Sequence, residues 1–571
     1  MDVLYVDVFS RPENDCVQAP LETLISLCTL KFLQDSPVNL VFVLKPAINP
    51  VFTVRVSCFE YDLIEVPDLP HLATICQLPV VVLTNSSSVV AGLCAVLRQV
   101  VKCTVALFPG HHCGNLLGFR QGCLIACAES SLWTRFCEVD VISSVKSVIA
   151  GQQEQSDVVV LPEDLVRFEI HMAQPLRIHN IQKVYQDHVK SAGRLSVELE
   201  HSFAEGPAMT LADIILLPCF HILLEAVKSV YLPQHLPLTM KWFGLVRSRQ
   251  GAEEALGLIR GLGGGLAGRL YVDYVVPDLP KQSLYKSDPK RYKPRRRIFT
   301  RQEDVEVSVK LALDLGVVPD WQDVPFGWEQ EFDWSSLPPE AHPKGGHLPV
   351  QRQERKAQQL ENLAKAVLKI AQPGHIIVDF CSGSGHLGIV LAHLLPRCQV
   401  VLLENKEESL GRARERVARL GLPNVTFCQC NLDYFCADFD VGASLHACGV
   451  ATDLVIRRCV RHGAAFVSCP CCYGSVQDNH VLSYPRSRAL RDAGMTPREY
   501  LVLGHSADQT HGDADAKTGQ GRLCMGLIDA DRCLQAREHG YTVSLAKLVP
   551  PSCTPKNNLL VGVPRHWRVA R

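Results

Sequence analysis

The residues best suited to chemistry lie in the last part of the chain. Ile376-Ile377-Val378-Asp379-Phe380-Cys381-Ser382-Gly383-Ser384-Gly385-His386-Leu387-Gly388 runs from an apolar strand ending in an acid, through a glycine-rich turn, into a helix. Glycines at 383 and 385 let backbone approach a ligand where side chains would collide, and the helix opening turns N–H groups toward it. Glu404 closes the next apolar run about 20 residues past the turn, the offset of an acid that accepts hydrogen bonds from ribose hydroxyls. Asn405 follows it, and Asn431 ends the run after that. The expected cofactor-binding set is Asp379, Ser382, Gly383, Gly385, Glu404, Asn405, Asn431 and His446. Gly383, Gly385 and Gly388 also spell GxGxxG, so a dinucleotide fold and a degenerate fold without cofactor stay open on the glycines alone.

Two further polar segments close later strands, His446-Ala447-Cys448-Gly449 and Cys469-Pro470-Cys471-Cys472-Tyr473-Gly474. Ligands of open α/β sheets bind beyond the carboxyl ends of the strands, which places both segments at the reacting centre. His446 is the candidate general base, because an ordinary imidazole titrates near neutrality; the other reading is a histidine that holds its turn by hydrogen bonds. Cys471 and Cys472, with Tyr473 beside them, are candidates for nucleophilic catalysis through a thiolate. His446, Cys448, Cys469, Cys471 and Cys472 could also surround zinc, but C-x-C-C lacks the usual ligand gap and no metal is assigned. Small residues packing beneath a nucleoside are the third reading. Lys556 and Asn557, before the final strand, are candidate substrate contacts or members of an ordinary turn.

These side chains need a scaffold. Residues 351–371 have helical periodicity through Leu360, Leu363, Ala364, Val367 and Leu368, with a basic start at Arg352, Arg355 and Lys356. Strands follow at 376–379, 399–403, 425–430, 440–445 and 465–468. Leu523–Ile528 and Tyr541–Leu548 read as strands flanking a helix, before a last strand at 559–563. Seven strands closing on an antiparallel hairpin resemble the Rossmann-like α/β sheet of class I methyltransferases. Leu445–Asp453 and Cys469–Gly474 are similar to segments of eukaryotic RNA methyltransferase-like proteins, including a tRNA 2′-O-methyltransferase family. That resemblance implies S-adenosyl-L-methionine as cofactor, with Asp379 near its methionyl group, Glu404 on the ribose and Asn431 on the adenine amine. It also implies an RNA substrate. In RNA cytosine-5 methyltransferases a strand-end cysteine attacks the pyrimidine ring, the role Cys471 or Cys472 would take.

Before this region the texture differs. Residues 1–101 read as a strand (3–9), a helix (21–34), a strand (39–44), a strand pair and a helix from about Ser88, a small α/β unit resembling a thioredoxin fold. The stretch 119–260 is almost entirely helical in pattern. Within it Thr210-Leu211-Ala212-Asp213 can form a reciprocal helix cap, and Pro237 opens another helix toward Trp242. Leu78-Pro79-Val80, Ser86–Ser88, Thr210–Asp213 and Pro237–Trp242 carry a resemblance to glutathione transferases: a thioredoxin-like unit joined to an all-α glutathione-transferase C-terminal-like unit. That family grips the γ-glutamyl end of glutathione with a Glu/Gln-Ser pair, and this chain has Asn85-Ser86-Ser87-Ser88 there. A docking module for protein partners is therefore expected, and a glutathione-linked enzyme is the rival. The whole chain resembles a family that joins such halves to a methyltransferase domain.

The expected division is a thioredoxin-like unit (1–105), a helical domain (106–275), a basic, proline-rich linker (276–345) and a methyltransferase domain (346–571), a multidomain chain. From 286 to 301 the linker carries eight cations and one acid, with Tyr292 and Phe299 interleaved. Cations neutralise phosphates and aromatic faces stack on unpaired bases, so Arg295, Arg296 and Arg297 are candidate RNA contacts; a solvated tether or nuclear-import tract is the other reading. Trp321, Trp328 and Trp334 could anchor this segment on a neighbouring domain. Globally, 58 basic against 59 acidic residues exclude a DNA-coating surface. Apolar runs are strand-length, so no membrane association is expected. The opening MDVLYVDVFS has no basic-then-apolar leader, and the 24 cysteines are read as reduced thiols of a cytoplasmic protein.

Overall fold

The structure, a computed structural model, describes all residues except 35–37, 85, 130, 151–157, 177–200, 229, 261–272, 286–300, 347–348, 511–515 and 568–571. The basic tract with Arg295, Arg296 and Arg297 lies outside the described residues. The chain forms two compact units, one of residues Met1–Asp288 with Tyr434–Cys436, the other of the remainder. The two segments expected as separate domains, 1–105 and 106–275, thus share one unit and one hydrophobic core.

In the first unit, valine-rich segments form β1 (Val3–Val8), β2 (Cys16–Ala19), β3 (Asn39–Leu44), β4 (Phe52–Arg55), β5 (Tyr61–Glu65), β6 (Val80–Leu83), β7 (Ser88–Ala91), β8 (Val158–Val160) and β9 (Asp273–Val275). Its main sheet runs β7-β6-β1-β3-β5, with β1 parallel to β3 and antiparallel to β6. The helix expected from Ser88 starts at Leu93 instead. Val89 and Val90 are β-branched and pair with Val82 and Val81, so the serines form a strand connection rather than a helix opening. The helical part centres on Leu211–Ala226, almost wholly buried. The Asp213 carboxylate accepts the Thr210 N–H at 2.7 Å, the Ala204 N–H at 2.8 Å and the Trp242 indole N–H at 2.8 Å. One buried carboxylate therefore caps its own helix and ties it to the helix Pro237–Arg247; burial raises it to about 6.

The second unit carries β10 (Trp321–Gln322), β11 (Ile376–Phe380), β12 (Gln399–Leu403), β13 (Val425–Gln429), β14 (Val441–Cys448), β15 (Ala465–Cys471), β16 (Tyr541–Lys547) and β17 (Asn558–Pro564). Its sheet order is β10-β16-β17-β15-β14-β11-β12-β13. The strands from β11 to β15 pair in parallel, and β17 runs antiparallel to both β15 and β16. This is a Rossmann-like sheet whose near-continuous apolar strands are covered by helices. Leu523–Ile528 is not a strand: it lies inside the helix Ala516–Glu538, where six consecutive apolar or small positions cannot by themselves separate a buried helix from a strand. Nor are residues 301–345 a free linker. They hold the helix Gln302–Asp314, and β10 extends the sheet beside β16. Trp321 stands in that strand with the Lys547 ammonium 4.1 Å from its ring, and the Lys365 ammonium lies 4.1 Å from the Trp328 ring. Trp334 packs edge-on to Phe332 at 5.0 Å, against the core of the same unit. Among the described residues no helix is long and apolar enough to cross a membrane.

Candidate active site at the carboxyl ends of the parallel strands

A cleft of about 550 Å³ opens beyond β11 and β14, within the usual ~300–1,000 Å³ of small-molecule sites. The helix Val350–Ile370 buries Leu360, Leu363 and Val367 and turns Arg352, Arg355, Lys356 and Gln359 into the cleft. Asp379 and the turn through Ser384 form its floor, His446 one wall, and Thr554 and Pro555 part of its rim.

Asp379 ends the buried β11 and accepts the Gly388 N–H at 2.9 Å. Burial raises its carboxyl to about 7; the Gly388 N–H and the Lys356 ammonium pull down, and Glu404 pushes up. Lys356 is itself lowered by burial, with Asp379 opposing. Gly383 has φ 56°, and a Cβ there would meet no atom within 4 Å, so the turn stands open to the cleft. The Ser382 hydroxyl beside it is buried without a hydrogen-bond partner. Gly385 differs: its added Cβ would lie 3.0 Å from both Ala413 and Leu402, so it serves helix packing rather than the cleft.

Glu404 sits behind the turn. Its Oε2 accepts the Gly383 N–H and its Oε1 the Lys406 N–H, both at 2.9 Å. The carboxylate thus shapes the glycine turn, and neither it nor Asn405 nor Asn431 lines the cleft. Arg416, 1 % exposed, donates to the Glu340 carbonyl at 2.8 Å and to the Ser384 carbonyl at 3.0 Å, fastening the turn to segment 340–342. Its guanidinium also faces His386 Nδ1 at 3.3 Å. Burial lowers His386 to about 3, so the ring is neutral, accepts through Nδ1 and carries its proton on Nε2. Sequence reasoning had no signal for Arg416, whose partners lie 32 and 76 residues away. Arg352, Arg355 and Lys356 stand in the sequence only as the basic start of a helix, with no signal for the cleft they line.

His446 lines the cleft with φ 68°, its Nε2 2.7 Å from Gln359 Oε1. Gln359 donates its amide N–H to the Cys553 carbonyl at 2.9 Å, so its oxygen faces the imidazole. His446 therefore carries its proton on Nε2 and offers Nδ1 as an acceptor. Burial, then Lys356, lowers the ring to about 4, well below the near-neutral value expected from sequence.

The remaining sequence candidates do not meet in the cleft. Tyr473 is fully buried and donates its hydroxyl to Asp529 at 2.6 Å. Asp529 and Asp453 both grip Arg532, at 2.9 and 2.7 Å, so the Thr-Asp and Cys-Cys-Tyr segments meet in a buried ionic network. Cys471 and Cys472 lie beside Cys448, the three sulfurs within 4.8 Å of one another. Hydrogen bonding from Cys471 lowers the Cys448 thiol, hydrogen bonding to Cys448 raises Cys471, and burial pushes Cys472 up to about 11. The pair expected to supply a thiolate is thus held protonated. The Lys556 ammonium binds Asp508 at 3.1 Å and lies over the Tyr473 ring; Asn557 donates to the Pro551 carbonyl at 2.9 Å.

Residues 355–479 match a family described as a methyltransferase domain. The chain is 40% identical to a Drosophila melanogaster glutathione S-transferase C-terminal domain-containing protein homolog, over 98% of this chain and 99% of the relative. It is 35% identical to the Xenopus laevis protein of that name, over 87% and 89%, and 32% identical to the human one, over 99% and 98%. Among solved structures, a putative S-adenosyl-L-methionine-dependent methyltransferase from Methanococcus maripaludis matches at 13% identity and TM-score 0.24, over 42% of this chain and 99% of its own. A SAM-dependent methyltransferase from Aquifex aeolicus matches at 14% and 0.22, over 41% and 98%. The second unit contains a methyltransferase domain. The chain belongs to the family of glutathione S-transferase C-terminal domain-containing proteins.

Proposed function

We propose that the second unit methylates RNA, and that the first unit, thioredoxin-like in its sheet and glutathione-transferase-like in its helices, is a docking module. The observation that carries the reading is the floor of the cleft. A buried acid, an unpartnered Ser382 hydroxyl and an open Gly383 backbone converge on one side of a ligand-sized space.

S-adenosylmethionine supplies a methyl group on a positively charged sulfur. Asp379 and Ser382 would hold its methionyl end: a carboxyl poised near 7 gains an ionised state when an ammonium arrives. Glu404 acts by holding the Gly383 N–H and so the shape of the turn. His446 presents an unprotonated Nδ1 at neutral pH and accepts the hydrogen of the attacking hydroxyl or amine. A weak base suffices, because the acceptor's proton becomes strongly acidic once the methyl bond forms. Arg352 and Arg355 are exposed at the same cleft, which supports an anionic substrate such as an RNA backbone.

The first unit favours docking over glutathione chemistry. The helix Leu93–Leu107 already has a carboxylate at its amino end, Glu138 accepting the Cys94 N–H at 3.1 Å. A γ-glutamyl carboxylate would compete with it for the same positive helix end. Sequencing-based mapping of methylated nucleotides, in cells lacking the protein against a complemented control, tests the substrate class. Sites lost and restored with the protein are expected; an unchanged map across all RNA classes removes RNA as the substrate.

A further inference from the structure

The cluster at the ends of β14 and β15 has chemistry that methyl transfer does not use. The two strands run parallel, and after a register shift between Leu445 and Cys448 they bring Cys448 opposite Cys471. The Gly449 N–H donates to the Cys471 carbonyl at 3.2 Å, so the ends stay zipped beyond the last pair. Cys472 then takes a left-handed backbone, φ 52°, which returns its side chain to its neighbours. The Cys448 and Cys471 sulfurs are 3.2 Å apart, and all three lie within 4.8 Å of one another as free thiols.

We propose that Cys448, Cys471 and Cys472 form a binding site for a thiophilic divalent cation, zinc. Zinc–sulfur bonds of about 2.3 Å at the tetrahedral angle set ligand sulfurs about 3.8 Å apart. The Cys448–Cys471 pair, 3.2 Å apart, is slightly closer than that and no pair exceeds 4.8 Å, so small side-chain rotations bring the sulfurs to ligand spacing. Cys448 and Cys471 end paired strands and Cys472 directly follows β15, which holds the three together before the ion arrives. Cys448 is exposed and gives the ion its entry path. Each thiol loses its proton to solvent as its sulfur coordinates. Three protein ligands leave a fourth tetrahedral position, filled by water or by a heteroatom from outside. The C-x-C-C spacing argues against zinc in the sequence because it lacks a C-x₂₋₄-C hairpin; here strand register supplies the missing ligand, Cys448.

The test uses the full chain, purified reduced with zinc and freed of loose metal, with zinc content read by mass spectrometry. Wild type is compared with Cys448→Ser and, as a control elsewhere, Cys58→Ser. The expected result is about one zinc fewer per chain in Cys448→Ser, with Cys58→Ser equal to wild type. In the wild-type protein itself, iodoacetamide should label Cys448 only after a chelator is added. Equal zinc in Cys448→Ser and wild type, or a metal-free wild type, overturns the proposal. So does Cys448 labelling that a chelator does not change, or a Cys448–Cys471 disulfide in place of metal. The labelling arm needs no variant and decides the matter if the serine protein does not fold.

Discussion

Gln359 fixes the tautomer of His446: its amide nitrogen is committed to the Cys553 carbonyl, so its oxygen accepts the imidazole Nε2–H at 2.7 Å. Replacing Gln359 by Leu removes one neutral hydrogen bond, worth about 1 kcal/mol, and should lower methyl transfer roughly fivefold through the loosened ring. Gln359→Glu should move the acidic limb of the pH–rate profile upward from about 4, because a carboxylate favours the imidazolium. The profile is measured at saturating donor, so that Asp379 is already ionised. An unchanged limb would mean that His446 does not act at the reacting centre.

Asp379 should make the free protein sensitive to pH. Its folded value of about 7 lies above that of an unfolded aspartate. The folded state then binds more protons than the unfolded one between about pH 4 and 7, and its stability falls as pH rises through that window. Asp379→Asn removes the buried charge and keeps an acceptor for the Gly388 N–H. Without cofactor it should be more stable than wild type by about 4 kcal/mol above pH 7, the difference shrinking toward zero near pH 4. Denaturant midpoints across that range check the slope.

Arg532 carries the stability of the region behind the cleft. It is 1 % exposed and joins Asp453 to Asp529, while Tyr484 and Tyr473 donate to the same two carboxylates. Arg532→Met leaves the buried Asp529 without its cation and Asp453 with only Arg486 at 3.9 Å, and should cost about 3–5 kcal/mol. Urea denaturation reads the loss, and a variant within 1 kcal/mol of wild type would contradict it.

The cationic segments make a salt-dependence prediction. Replacing Arg295, Arg296 and Arg297 by Ser removes up to three phosphate contacts, which should flatten the slope of log affinity for single-stranded RNA against log salt by about 2. Arg352→Ser with Arg355→Ser should weaken binding uniformly across sequences. Filter-binding titrations at several salt concentrations separate the two sets; an unchanged slope would leave residues 286–301 as a tether.

Much of this was legible in the chain. The strand, glycine turn and helix at 376–394 is a local pattern in which each residue's role follows from its neighbours, and Asp379, Ser382 and Gly383 stand in the cleft. The Thr210–Asp213 cap was legible for the same reason. What failed depended on partners far away. Glu404 has the offset of a ribose ligand, but its second task, accepting backbone amides of the turns it supports through both oxygens, has no signal in the sequence. Tyr473 looked poised at a strand end, but its hydroxyl is drawn into the core by Asp529, 56 residues on. Leu523–Ile528 and Ser88–Ala91 failed because short apolar or serine-valine runs suit either element until tertiary pairing decides. The segment 301–345 has proline and charge, with periodicity only near Val305–Leu315, where the helix Gln302–Asp314 forms, and only the pairing of Trp321 with Leu545 shows that it belongs to the sheet.

Titration calorimetry of S-adenosylmethionine into the full chain, wild type beside Asp379→Ala, tests the central claim most directly. The account predicts one site per chain in the wild type and an affinity at least about tenfold weaker in the variant, some 1.4 kcal/mol. No heat from the wild type, or equal dissociation constants for the two proteins, would contradict it.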